Sequence, residues 1–266
     1  MCVATGRSSP RRALGVVRAR LDELAADRGE TEVLQYGKMK WTVGETKKYA
    51  DGFASGLGEL GTQAGDAVAS LIAADAPESH CAQIAAASAG FVYVAIDPAL
   101  GPDAARLPRP RSRAHPRRRA RARVDRSGKL LKPNRAARPQ VRAALTETGA
   151  KVLIHSGSDA DVALVSDVVP EFAEHEARTA AAFHSPVAPD LKYFVTTGLD
   201  MQQASANYQH LLAVDGPKPT AAVPNDALLA VSYGAAGVEK LTHKEVIEKN
   251  AFPALTAVLN AEHTVF

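Results

Sequence analysis

Long apolar runs are absent from this chain. No stretch approaches the roughly 18 consecutive apolar residues of a membrane-spanning helix, so no transmembrane segment is expected. Cysteine is scarce as well. Cys2 and Cys81 are too few for a disulfide framework and have no metal-ligand spacing. Cys81, set among alanines without a basic neighbour, reads as an inert core residue. Aromatic residues make up only 5% of the 266, so alanine and valine must fill the core, and a hydrophobic content of 46% suffices for one. Patterned histidine is missing too. His80, His155, His175, His184, His210, His243 and His263 are dispersed, with no H-E-x-x-H pair and no triad spacing, so each is read as surface or satisfied core. Glu174-His175-Glu176 reads as a solvated helix face. No metal site and no catalytic residue is assigned.

Acid is what two stretches lack. The first 21 residues carry Arg7, Arg11, Arg12, Arg18 and Arg20 with Ser8 and Ser9, and no Asp or Glu. That composition suits a mitochondrial presequence and equally a frayed basic terminus, so residues 1–30 are set apart with a mitochondrial location as the first expectation and a cytoplasmic one as the second. Residues 106–138 hold twelve arginines, Lys129 and Lys132 against one acid, Asp125. Removing them from the chain's 32 bases and 29 acids leaves 18 against 28, so the net charge of +3 hides an acidic remainder of −10. Residues 99–137, rich in Arg and Pro and without an aromatic, cannot bury enough surface to order themselves and read as a disordered insertion. Arginines can contact phosphates, but with no stacking aromatics, helix-turn-helix or zinc pattern, nucleic-acid binding ranks last.

Around these stretches the pattern is regular. Thr42-Val-Gly-Glu45 is a capping box, and Tyr49, Phe53, Leu57 and Leu60 behind it form one apolar helical stripe that Gly61 stops. Residues 67–74 read as an apolar strand, 77–89 as an alanine-rich helix and 91–96 as a β-branched strand. A helix over 138–148, a strand over 150–155, a helix over 159–169 and strands over 192–197 and 227–232 follow. A last helix is expected over 242–259, kinked or broken at Pro253. Strands apolar throughout, alternating with helices, predict an α/β fold with a mostly parallel, doubly wound sheet.

One segment carries chemistry. An apolar strand runs into Gly234-Ala-Ala-Gly237 and a helix is due near Thr242. Glycines there permit positive φ and close backbone approach, so successive N–H groups can cradle an anion that Lys240 could reach as a point charge. Taken alone, two glycines between a strand and a helix are more often a tight connection than an anion site.

The surroundings resemble a known family. AMP-forming acyl-CoA synthetases carry, after a buried strand, Ser-Gly-Thr-Thr-Gly-x-Pro-Lys-Gly and then Thr-His. Here Ser232, Gly234, Gly237, Lys240, Thr242 and His243 are similar to that pattern. Tyr233 is extra, Ala235 and Ala236 replace the two hydroxyl residues, Glu239 replaces Pro and Leu241 replaces Gly. Upstream, residues 41–61 and 65–100 resemble the family's opening helix, Gly-Asp turn, strand, helix and strand ending in Asp-Pro; residues 142–154 and 190–198 resemble its following elements.

The resemblance implies the N-terminal portion of an adenylate-forming large domain, over 31–98 and 138–266, and a phosphate loop made by Ser232, Gly234, Ala235, Ala236, Gly237 and Lys240. It also implies ATP, Mg2+ and CoA as cofactors and a carboxylic or fatty acid as substrate, activated to an acyl-adenylate and then a thioester. The departures weaken activity. Each lost charge-assisted hydrogen bond costs about 1.5–3 kcal/mol of binding, and Glu239 puts a like charge beside an anion. Only residues 244–266 follow the loop, so the rest of the family's active site is expected to be missing. A truncated or degenerate ligase, inactive as this chain, with either the family's cofactors or none bound, is therefore one expectation. A non-catalytic accessory subunit of a mitochondrial complex, with a protein partner covering the incomplete domain, is the other.

Overall fold

The computed structural model describes residues 17–97, 137–173, 182–198, 205–213, 224, 226–234 and 237–261. The Arg/Pro-rich stretch up to residue 136 and Glu174-His175-Glu176 lie outside them.

Six parallel strands and one antiparallel edge strand form the main sheet. Strands β3 (Ala67–Leu71), β4 (Val92–Ile96), β5 (Val152–His155), β6 (Tyr193–Thr196), β7 (Ser205–Asn207), β8 (Leu228–Gly234) and β9 (Gly237–Thr242) lie in the order β7-β6-β5-β3-β4-β8-β9. Only the β8–β9 pair is antiparallel. β3 hands on to β4 in one direction, whereas β5 hands on to β6 in the other. This is the doubly wound, mostly parallel α/β arrangement that uniformly apolar strands require, because helices must cover both faces.

Alternate residues of the same strands feed two cores. Val68, Tyr93, Ile154, Val195 and Ala230 face one helical layer; Ala69, Val94, Leu153, Phe194 and Val231 face the other. The first layer is built from α1 (Val17–Arg28), α2 (Val43–Glu59), α3 (Pro77–Ala89), the short α6 (Tyr208–Leu212), α7 (His243–Glu248) and α8 (Pro253–Leu259). The second comprises α4 (Arg138–Glu147), α5 (Asp159–Val168) and a 3-10 turn, Pro170–Ala173.

Helix α2 starts where its capping box sets it. The Thr42 hydroxyl accepts from the Glu45 N–H at 3.2 Å, and the Glu45 carboxylate accepts from the Thr42 N–H at 2.9 Å. Phe53 and Leu57 of its stripe are fully buried, with Tyr49 and Leu60 packed on the same core. Its other notable face carries Gly52 and Gly56, where a Cβ would lie 2.4 Å from the Leu212 carbonyl oxygen and 2.6 Å from that of Leu211. Those two glycines let α6 lie directly on α2.

Besides β7, α6 and the 3-10 turn, three further features were not foreseen. A β-hairpin, β1 (Glu32–Tyr36) with β2 (Met39–Thr42), stands apart as a two-stranded sheet. Helix α1 occupies the end of the segment read as a basic terminus: Val17, Leu21 and Leu24 are buried, and Arg18 pairs with Asp51 of α2 at 2.9 Å. The third, β9, changes the reading of the candidate loop. The final helix is broken before Pro253, as proline requires, into α7 and α8.

Candidate functional site

The parallel strands deliver Asp97, after β4, and Gly234, at the tip of β8, to one end of the sheet, the carboxyl end where open α/β sheets hold ligands. Of the six residues expected to form a phosphate loop, Ser232, Gly234, Gly237 and Lys240 are described, and Ala235 and Ala236 lie outside the described residues. The stretch from Gly237 to Thr242, expected as loop, is a strand. Gly234 pairs with Gly237, so two residues connect β8 to β9, and the ladder continues through Tyr233↔Val238, Ser232↔Glu239, Val231↔Lys240 and Ala230↔Leu241.

That register fixes where the side chains point. Residues directly opposite in an antiparallel ladder share a face, and neighbours along a strand alternate. Ser232 therefore shares its face with Glu239, whereas Lys240 shares the opposite face with Val231. The hydroxyl and the ammonium that would grip one anion diverge. Glu239, the nearer charge to Ser232, is paired with Lys249 at the end of α7, 3.2 Å away. Gly237 has φ 112, a region that L side chains rarely adopt, with open space where a Cβ would stand.

The base of the hairpin is tied into the fold. Tyr233 is buried, and its hydroxyl donates to Glu147 of α4 at 3.1 Å; burial and the neighbouring carboxylate both push its ionisation up. Thr242 and Glu245 form a second capping box, with contacts of 2.9 and 3.3 Å, that starts α7. His243 follows, 2% exposed, its Nε2 without a hydrogen-bond partner among the described residues, and burial pulls its pKa down to about 4.

Sequence reasoning passed over a second polar cluster, at the ends of β5, β6 and β7. His155 is fully buried, accepts from the Gly157 N–H through Nδ1 at 3.1 Å, and meets the Ser205 hydroxyl through Nε2 at 3.1 Å. With Nδ1 accepting, Nε2 carries the proton and donates, so this pair is not a base activating a serine. Burial holds the imidazole neutral, its pKa lowered to about 4. The expectation of a satisfied core histidine holds here. Gly157, at φ 76, keeps the turn open because a Cβ there would stand 2.5 Å from Thr196 Oγ1.

Other candidates do not converge. Cys81 is buried and its thiol is pushed up to about 12, which leaves it unreactive. Among the described residues no group of three or more His, Cys, Asp and Glu could hold a metal, and no helix is long and apolar enough to cross a membrane. A hollow of about 540 Å³ lies at the end of α1 against consecutive residues from Ala25 to Thr31, with no residue of the hairpin in its lining.

Residues 21–108, about a third of the chain, match the family model of the AMP-binding enzymes. The fold is that of the N-terminal part of adenylate-forming enzymes. An anthranilate CoA ligase solved with anthranoyl-AMP superposes with a TM-score of 0.57 at 16% identity, over 86% of this chain and 35% of its own. A long-chain-fatty-acid CoA ligase from Rhodopseudomonas palustris gives 0.58 at 16% identity, over 87% and 45%. The fatty acyl CoA synthetase of Mycobacterium tuberculosis gives 0.55 at 18% identity, over 94% and 43%. The chain thus spans roughly a third to a half of the length of these proteins. No curated protein matches it in sequence.

Proposed function

We propose that this chain is a degenerate acyl-CoA synthetase-like protein that retains the N-terminal scaffold of an adenylate-forming domain and does not itself activate a carboxylate. One observation carries the reading. The hairpin lies where the family's phosphate loop falls by resemblance, yet Ser232 and Lys240 stand on opposite faces of it and Glu239 lies beside Ser232. The family reaction would need ATP with Mg2+ to form an acyl-adenylate and CoA to take the acyl group. Phosphoryl chemistry of this kind depends on donors and cations already aimed at one oxygen cluster, and divergent groups provide little of that stabilisation.

The test is carboxylate-dependent exchange of pyrophosphate into ATP by the full chain, with short, long-chain and aromatic acids. No exchange above background is expected. Exchange with any one acid overturns the proposal.

A second reading, an accessory subunit whose partner covers the domain, draws on Leu228 and Val238, which are 39% and 43% exposed at the β8–β9 edge. A sheet edge of that kind invites pairing or cover. Purification of the native protein as a monomer without companions would remove it. Import into mitochondria is tested by fusing residues 1–30 to a fluorescent protein, and cytosolic signal would remove that expectation.

A further inference from the structure

We propose that the Tyr36–His80 contact is a proton-sensitive latch, which holds the tip of the β1–β2 hairpin on α3 while the imidazole is neutral and releases it when the ring takes a second proton. It acts in the same way whether the chain is an active ligase or an accessory subunit.

The hairpin is held unequally along its length. Near the base Val33 is buried in the core of the first layer, with Leu34 and Trp41 packed against that core. At the turn Lys38 and Lys40 are exposed, Met39 is 46% exposed, and Gly37 takes φ 61 to reverse the chain. Tyr36 stands between. Its hydroxyl lies 2.6 Å from Nδ1 of His80, near the start of α3, and the two rings are 5.6 Å apart. Trp41 meets Tyr36 edge-on at 5.0 Å and Tyr49 of α2 at 4.9 Å, so a shift of Tyr36 is felt at Trp41.

A neutral ring suits this contact. It has one N–H; with that proton given to the Ala74 carbonyl, Nδ1 is left to accept from the phenol. Burial, with Cys81 and Glu78 behind it, keeps the phenol protonated and therefore a donor. A protonated ring presents N–H groups alone, so the hydroxyl must turn round to accept and a charge must be hydrated beneath the hairpin. Burial lowers the His80 pKa below its ordinary 6.5, and the Asp75 carboxylate and the Ala74 carbonyl, which favour the charged ring, offset this only in part. The docked tip thus excludes a proton that the released tip accepts. Its hold is complete above about pH 6.5 and is lost as the pH falls through the lowered value.

Helices α1, α2 and α8 and strand β4 also pack on α3. On α1 and α2, Arg18 pairs with Asp51, and Lys47 with Asp22 and Asp51. Helix α8 has no charged residue, and Tyr93 of β4 is bonded to the buried Ser79.

Trp41 is the single tryptophan of the chain and reports on the hairpin without labelling. The experiment follows acrylamide quenching of Trp41, and hydrogen exchange of residues 33–41 corrected for its intrinsic pH dependence, in the full chain from about pH 7.5 to about 5, with far-UV dichroism as the check on global folding. Quenching is read instead of intensity because an imidazolium near an indole dims it without any motion. The expected result is a rise in quenching and exchange as the pH falls, along one titration and at constant dichroism. His80→Gln, which keeps an acceptor and cannot titrate, should hold both flat. Tyr36→Phe, which takes the donor from the neutral ring, should move the midpoint upward. Flat profiles in the unmodified chain overturn the proposal, as does a rise that comes only with loss of dichroism. So does an equal rise in His80→Gln or an unmoved midpoint in Tyr36→Phe. If one variant fails to fold at the starting pH, the other decides with the unmodified chain, and if both fail the unmodified profile decides.

Discussion

Two helices in this molecule open with the same local device and end differently. Thr42 with Glu45 starts α2, and Thr242 with Glu245 starts α7. Helix α2 runs for 17 residues and buries nine of them, whereas α7 runs for six and buries His243 and Val246. A capping box fixes where a helix begins, and an apolar stripe long enough to meet other elements fixes how far it goes. Around α2, helices α1, α3 and α6 supply those partners, and this region contains most of the segment that matches the AMP-binding family. Around α7, the local order survives at the edge of the sheet, where Ser232, Gly234, Gly237 and Lys240 stand in the β8–β9 ladder.

The contrast can be broken most forcefully at Phe53. Phe53→Ala is expected to cost about 3–5 kcal/mol of stability, read by chemical denaturation, because the ring is fully buried beside Tyr208. A loss below about 1 kcal/mol would mean that the α2 region is no better packed than the edge. Acid gives the next effect. The pKa of His155 falls to about 4 in the folded state from an ordinary 6.5, so the unfolded chain binds the extra proton between those values. The stability this contributes is fully present above pH 6.5 and is lost as the pH falls toward 4, on the order of 3 kcal/mol. His155→Gln should flatten that part of the pH profile; an unchanged slope would sink the assignment.

Gly56→Ala should cost about 1–3 kcal/mol by pushing α6 off α2, with hydrogen-exchange protection of residues 208–212 falling in parallel. The caps allow a direct comparison. Thr42→Ala is expected to cost about 1 kcal/mol globally, while Thr242→Ala should chiefly speed amide exchange in residues 243–248. Equal global losses would show that both helices belong to one cooperative unit. Smallest of all, Lys249→Ala removes an exposed ion pair with Glu239 and should change the melting midpoint within the range of about 0.5 kcal/mol.

Much of the fold was legible because its signals are local. The strand over 150–155, the helix over 159–169 and the break at Pro253 follow from local apolar patterning and a proline, and each lies within about two residues of its expected place. Helix α1 was hidden by arginines, since Arg18 and Arg20 suggested a tail while Asp51, the distant partner of Arg18, could be matched to it only in three dimensions. The hairpin β1–β2 and the edge strand β9 were missed for a related reason. Gly237-Val-Glu-Lys-Leu-Thr is too polar for a core strand, and only the neighbouring β8 makes a ladder of it.

By itself the sequence determined the parallel α/β class, the segment shared with AMP-binding enzymes and the residues to question in the loop. Periodicity, caps and turn residues act over a few positions and are written in order along the chain. Only the tertiary structure decided that Ser232 and Lys240 part company. Which face a strand residue occupies depends on the rung it shares with another strand, and that register is settled by β4 and β9 together with the connection between the glycines.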